Sequence, residues 1–210
     1  ALGRRAAGLR RYPLTSFFVL AYALSWLGWT PYVLSWDGLG VLPFRFPEVF
    51  GTTQPLGILP GAYLGPLTAA FLVTAANEGR EGLRRWRGRL LRWRVSWAWY
   101  LLVLVGLPAV LVLGTLPLPG ALAALRLPGL DVLLVYLPVL VAQVLTSGLG
   151  EEPGWRDFAL VRLQQRHHPL LATLVVGVLS AGWHLPLFLT SWAGPTFSPP
   201  VLAQFLLLAM

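Results

Sequence analysis

This sequence of 210 residues contains no cysteine and few charged residues. The absence of cysteine excludes disulfide frameworks, thiolate metal sites and cysteine nucleophiles. Charged residues make up 11% of the chain, against roughly 25% in an average soluble domain, while hydrophobic residues make up 56%. This composition excludes an ordinary soluble domain and predicts a membrane protein.

Lysine is also absent, so all 16 basic residues are arginine, and with eight acids they give a net charge of +8. Seven of these arginines lie in segment 80–94 together with Trp86 and Trp93, a pattern that a nucleic-acid-binding patch could also show. Arginine beside a membrane attracts anionic lipid headgroups, and tryptophan is enriched at the same interface. We therefore expect the partner of this segment to be the lipid bilayer and not nucleic acid.

Long apolar stretches recur along the chain, and a bilayer core about 30 Å thick needs about 20 such residues per helix. The fold class predicted is all-α, a polytopic transmembrane helical bundle with five full spans and a truncated sixth. We expect a single membrane-embedded domain over 1–210, with amino-terminal spans in 1–130, a motif-bearing helical hairpin in 131–190 and the start of the truncated span in 201–210. The predicted spans are Leu14–Trp36, Ile58–Ala76, Val95–Leu116, Leu130–Leu149, Leu170–Leu189 and the run from Val201 onward.

The two ends of the sequence indicate whether it is a fragment and whether it begins with a signal peptide. Because the sequence begins at Ala1 and stops at Met210 within an apolar run, we expect a fragment, and the first span lacks the features of a cleaved signal peptide.

The two loops after the first and third spans contain only Arg45 and Arg126, whereas the other connections and the start of the chain are rich in arginine. Since arginine-rich short loops stay in the cytoplasm, a plasma-membrane protein with a cytoplasmic amino terminus is predicted.

Two adjacent acids, Glu151 and Glu152, directly follow the apolar run of the fourth span. An ionisable group at membrane depth indicates a function, because burying it unpaired is costly. Arg156 lies four residues beyond Glu152, so a helical stretch would pair these two side chains and leave Glu151, about 100° away around the axis, free. Pro153 fits either the first turn of a new helix or a kink.

His184 is the only histidine within a predicted span, where we place it deep in the fifth helix. It follows His167 by 17 residues, and Glu151 precedes His167 by 16. With a rise of about 1.5 Å per residue, both lie roughly 25 Å from a chain reversal at Arg166–Pro169. An antiparallel hairpin would therefore bring Glu151 and His184 to one level and form a shared site.

A glutamate and a histidine in a partly dry site suit either activation of a water by a general base or ligation of a divalent metal such as zinc. No cofactor is certain. Glu151 and His184 would be the metal ligands, but two protein ligands are too few for catalytic zinc, so a third would have to lie beyond Met210. We interpret His167 and His168 as interfacial residues, because adjacent residues on a turn point apart.

Residues 151–160, EEPGWRDFAL, and 183–188, WHLPLF, resemble the CPBP intramembrane proteases, which include the CAAX prenyl endopeptidases and bacteriocin-processing proteins. The family motif E-E-x-x-x-R falls on Glu151, Glu152 and Arg156, and the histidine of F-x-x-x-H falls on His184. The aromatic position of the second motif is Ser180 here. The later family motif, H-x-x-x-N or H-x-x-x-D, is absent from the 210 residues and is expected beyond Met210.

The resemblance implies hydrolysis of a peptide bond in a membrane-associated or CAAX-like substrate, with catalytic residues Glu151, Glu152, Arg156 and His184. Glu151 would activate the water and His184 would position it or stabilise the oxyanion. The arginine-only, alanine- and leucine-rich composition favours a bacterial source, where prenylated substrates are not expected, so the substrate stays open. The alternatives are a non-catalytic membrane partner or immunity-type protein on the same scaffold, and a transporter that uses these charges as a proton relay.

Overall fold

The computed structural model describes residues 11–117, 119–124, 126, 129–193 and 205. Within these residues five helices are long and apolar enough to cross a membrane, which confirms the predicted all-α, multi-pass membrane protein. The predicted sixth span, apart from Phe205, lies outside the described residues, as do Arg4, Arg5 and Arg10. The helices are α1 (Pro13–Leu34), α2 (Gln54–Leu90), α3 (Trp97–Thr115), the short α4 (Ala121–Ala124), α5 (Leu130–Gln164) and α6 (Pro169–Trp183).

The helices belong to two compact units, so the single domain expected from the sequence stays a prediction. One unit combines the chain up to Arg84 with the chain from Ala142 onward, and the other covers Arg85–Val141. The second unit holds α3, whose apolar side chains are exposed over its whole length. Such a surface is stable where lipid covers it, in keeping with a membrane span.

Glycines bring α1 and α2 into close contact in the first unit. Gly61 faces Trp29 so closely that a Cβ atom would lie 2.3 Å from the indole ring, and at Gly65 it would lie 1.7 Å from the Ser25 hydroxyl oxygen. Ser25 Oγ donates to the Gly61 carbonyl oxygen at 2.7 Å, and Trp29 Nε1 donates to that of Ile58 at 2.7 Å. Small residues on one helix face allow membrane helices to approach closely, and the polar side chains across this contact then bond main-chain oxygens.

Helix α2 breaks close to the end of its predicted span, which was expected at Ala76. The chain stays helical to Leu90 but breaks at Gly79, where φ is +62°. Glycine adopts this left-handed conformation without the steric cost that a Cβ atom would add. The arginine-rich residues after the break therefore form a second helical stretch, up to Leu90, where the sequence predicted a loop.

Helix α5 corrects the prediction that the fourth span ends at Leu149, because it continues to Gln164. Two π-helical segments interrupt its α-helical geometry, Val144–Gly148 and Pro153–Leu160. Pro153 has no N–H to donate to the preceding turn, and a widened turn is one way for a helix to continue past a proline. The acidic pair consequently lies on the short α-helical stretch Leu149–Glu152, between the two π segments and inside a continuous helix.

Candidate active site

A cavity of about 390 Å³ lies within the first unit, and both Glu151 and His184 line it. Helix α5 supplies Glu151, and the residue that ends α6 is His184. The predicted hairpin of α5 and α6 therefore brings these two residues to the same cavity. Its other polar lining residues are Thr52, Gln54, Gln143, Thr146 and Ser147.

Ser147 holds the Glu151 carboxylate from one turn earlier on α5. Its hydroxyl donates a hydrogen bond to Glu151 Oε1 at 3.0 Å. The neighbouring Thr146 instead donates to the Ala142 carbonyl oxygen at 2.7 Å, on its own helix. Sequence reasoning missed Ser147, although its i,i+4 spacing to Glu151 on a helix was a usable signal.

The predicted pair of Glu152 and Arg156 forms, which separates the two glutamates. Arg156 Nε lies 3.6 Å from Glu152 Oε2, and both side chains are about half exposed, at 52% each. Glu152 is not among the residues that line the cavity. The pairing confirms the helical i,i+4 geometry expected from the sequence and leaves Glu151 as the acid of the cavity.

His184 is fixed by its own main chain and by aromatic rings. Its Nδ1 lies 2.8 Å from the Ser180 carbonyl oxygen, and the ring is stacked on Trp192 at 5.6 Å between centroids. Because a carbonyl can only accept, Nδ1 carries the proton in this bond, and Nε2 of the neutral ring is then an acceptor. The ring of Phe205 contacts it edge-on at 5.3 Å.

His184 does not lie deep within the fifth helix, as the sequence predicted, but caps its carboxyl end. A 3-10 turn, Leu185–Leu189, follows directly. Pro186 explains this end, because a proline disfavours α-helical geometry at the residue before it and donates no hydrogen bond to the preceding turn. The helix therefore stops at the histidine that lines the cavity.

Buried tryptophans connect this histidine to the rest of the unit. The ring of Trp183 lies 4.6 Å from that of Trp29 on α1 and 5.8 Å from that of Trp155 on α5, and all three side chains are almost completely buried. Trp26 Nε1 donates to the Trp183 carbonyl oxygen at 3.0 Å. The position of His184 relative to α5 thus depends on packing against α1.

The segments at the edge of the cavity are tied to the end of α1. The Tyr32 hydroxyl oxygen lies 3.1 Å from Thr53 Oγ1 and 2.9 Å from Ser191 Oγ. The Ser191 N–H donates to the Asp37 carbonyl oxygen at 2.7 Å, and Asp37 Oδ2 accepts the Phe46 N–H at 2.9 Å. Asp37 therefore organises the loop next to the cavity.

The structure places His167 and His168 on the turn between α5 and α6, away from the lining of the cavity. His168 caps α6, since its Nδ1 accepts the Leu170 N–H at 3.3 Å. Catalytic zinc takes three protein ligands, and among the described residues no group of three His, Cys, Asp or Glu is arranged to hold a metal ion. Glu151 and His184 alone do not complete a zinc site.

Comparison with known proteins supports the motif assignment. Residues 132–210 match the family described as type II CAAX prenyl endopeptidase Rce1-like. The chain is 26% identical over 147 residues to the curated CAAX prenyl protease 2 of Methanococcus maripaludis, and the alignment covers 68% of this chain and 54% of that relative. The resemblance to the CPBP intramembrane proteases is confirmed. The chain thus spans about half of the length of this relative. No solved structure matches the chain.

The region of this chain that matches the family, residues 132–210, contains the motif positions on which the resemblance rests. Glu151, Glu152, Arg156 and His184 all lie within residues 132–210. Ser180, which replaces the aromatic residue of the second motif, bonds His184 through its main-chain carbonyl. The replacement therefore keeps this bond to the histidine, because every residue type has the same carbonyl group.

Proposed function

We propose that this protein is an intramembrane endopeptidase that hydrolyses a peptide bond of a membrane-associated protein or peptide. The observation that carries the proposal is that Glu151 and His184 share one cavity while Glu152 is paired with Arg156 outside it. The match to CAAX prenyl endopeptidases supports a CAAX-like substrate as the first to test. The proposed location is the plasma membrane, with the amino terminus in the cytoplasm.

In the proposed mechanism Glu151 is the general base. Its carboxylate takes a proton from a water molecule, the resulting hydroxide attacks the carbonyl carbon of the peptide, and Glu151 returns the proton to the departing amine. His184 has Nδ1 engaged by the Ser180 carbonyl, so its free Nε2 accepts a hydrogen bond and positions the water. Because the described residues do not complete a zinc site, the proposal routes no step through a metal.

Substitution of Glu151, with its neighbour Glu152 as the matched control, tests the proposal. The assay uses the full-length protein in liposomes and a set of internally quenched peptides that carry a lipid anchor, farnesylated CAAX peptides among them. Cleavage that depends on Glu151 would support the endopeptidase. Cleavage that is the same without it would contradict the proposal.

The bond from Ser147 to Glu151 predicts a positioning role for this serine. Ser147→Ala should lower kcat about tenfold with little change in KM, because a hydrogen bond to a charged group contributes roughly 1.5–3 kcal/mol. Ser147→Thr, which keeps the hydroxyl, should restore most of the rate. Cleavage kinetics of the lipid-anchored peptides measure both effects.

Thr146→Val is the control for this experiment, because the Thr146 hydroxyl also belongs to a cavity-lining residue but bonds a main-chain carbonyl and not Glu151. We expect it to keep nearly the rate of the unchanged protein. A loss in Thr146→Val equal to that in Ser147→Ala would show that any change in this wall of the cavity is harmful. The positioning role of Ser147 would then be wrong.

A further inference from the structure

A second cavity, of about 210 Å³, lies where α1 begins and α5 ends. It shares no lining residue with the cavity of Glu151 and His184. Three arginines line it, together with polar side chains that can donate hydrogen bonds, and the mechanism proposed above uses none of them. The residues that form its wall include Arg11, Tyr12, Thr15, Arg162, Gln165 and Arg166.

One of the three arginines is held rigidly by its neighbours. Arg162 Nη2 lies 2.6 Å from Glu78 Oε1, and Nη1 donates to the Phe158 carbonyl oxygen at 3.3 Å. Its guanidinium carbon also lies 3.8 Å from the centre of the Phe158 ring. A guanidinium fixed by these contacts loses little side-chain freedom when it binds a further group.

The other two arginines leave the cavity with an excess of positive charge. Neither Arg11 nor Arg166 forms an ion pair within the part of the chain that the structure describes, and none of the described residues that line the cavity is acidic. The first turn of α1 adds to this potential, because its N-cap residue Tyr12 makes no side-chain capping bond and this turn contains no acid. Unpaired N–H groups at the start of a helix favour an anion.

The position of the cavity indicates which anion it would meet. Arg11 lies two residues before one membrane helix and Arg166 two residues after another, on the arginine-rich side that the sequence predicts to be cytoplasmic. At this level the abundant anions are the phosphate groups of acidic lipids, and basic pockets between membrane helices bind such headgroups. Leu14 and Pro13 add an apolar part to the same wall, as a glycerol backbone and acyl chains would require.

We propose that this cavity binds the phosphate group of an anionic phospholipid. Arg11 and Arg166 supply the charge that attracts the phosphate, and the held guanidinium of Arg162 gives it a fixed donor. The site would hold one lipid at the contact of α1 and α5, next to the Phe17 and Phe158 rings, which are stacked at 5.0 Å. The bound lipid would therefore stabilise the pair of helices on which the position of Glu151 depends.

Native mass spectrometry of the full-length protein in detergent tests this site, with phosphatidylglycerol and phosphatidylcholine as probes. The unchanged protein should retain one phosphatidylglycerol more strongly than phosphatidylcholine. The double variant Arg11→Gln and Arg166→Gln should bind phosphatidylglycerol roughly 30-fold more weakly, from the loss of two arginine–phosphate attractions. Replacement of both residues by lysine should restore part of the affinity, since the charge returns without the bidentate geometry.

The matched control is the double variant Arg92→Gln and Arg94→Gln, which removes the same charge from two exposed arginines outside the cavity. We expect it to retain the lipid as the unchanged protein does. An equal loss in both double variants, or equal binding of phosphatidylcholine, would overturn the site. Inorganic phosphate is tested as a third probe. If the cavity binds phosphate but shows no preference between the two lipids, a lipid headgroup is not the ligand of the cavity. Size-exclusion profiles verify that each variant is folded.

Discussion

Glu151→Gln is expected to lower the rate of peptide cleavage about 10³-fold, within the range that general-base catalysis contributes. Glutamine has nearly the shape of glutamate and can still accept the Ser147 hydrogen bond through its carbonyl oxygen, but it cannot take a proton from water. The loss should therefore appear in kcat with the protein folded and the substrate still bound. The measurement is the cleavage rate of lipid-anchored peptides at equal protein amounts.

Glu152→Gln is the control, because it removes the same charge one residue away. Glu152 and its partner Arg156 are both about half exposed, and the attraction in such an ion pair contributes little to stability. We expect this variant to lose only a few-fold in rate. Equal residual activity in Glu151→Gln and Glu152→Gln would contradict the separate roles that we propose for these two glutamates.

Gly154→Ala is expected to destabilise the protein strongly. Gly154 lies where α5 crosses α2, and a Cβ atom there would meet the Pro66 main-chain oxygen at 2.6 Å and carbonyl carbon at 2.7 Å. Main-chain atoms of a packed helix cannot turn aside as a side chain can, so the two helices must separate. Overpacking of this kind costs about 1–3 kcal/mol or more, and a lower Tm in detergent would report it.

Gly148→Ala on the same helix is the matched variant, since its Cβ atom would meet no atom closer than 3.6 Å. Alanine has a higher helix propensity than glycine by up to about 1 kcal/mol, so this change should leave the Tm unchanged or raise it. The opposite order, with Gly148→Ala less stable than Gly154→Ala, would show that the contact of α5 with α2 is not as close as described.

Much of the fold could be predicted because apolar length and arginine placement are properties of the sequence. Helix α1 was expected over Leu14–Trp36 and lies at Pro13–Leu34, while α3 was expected over Val95–Leu116 and lies at Trp97–Thr115. The end of α5 was missed because hydropathy marks where the apolar run stops, not where the helix stops. Polar residues after Leu149 continue that helix at little cost, whereas α2 breaks at Gly79, close to the end predicted at Ala76.

The candidate site was predictable in part for a different reason. Counting residues from the turn placed Glu151 and His184 at one level, and the i,i+4 rule paired Glu152 with Arg156, because both arguments use only helix geometry. The aromatic contacts of His184 could not be foreseen, since they involve Trp192 and Phe205, whose positions the spacing of residues along α5 and α6 does not fix. The same holds for the hydrogen bond between Ser191 and Asp37, which joins residues far apart in the sequence.

A double-mutant cycle measures whether Glu151 and His184 act together on one water in one cavity. Cleavage rates are compared for Glu151→Gln, His184→Ala and the protein that carries both changes. Residues that act as a unit give non-additive effects, so we expect the double variant to be no slower than Glu151→Gln alone. Losses that multiply in the double variant would show that the two residues act independently, and would contradict the account.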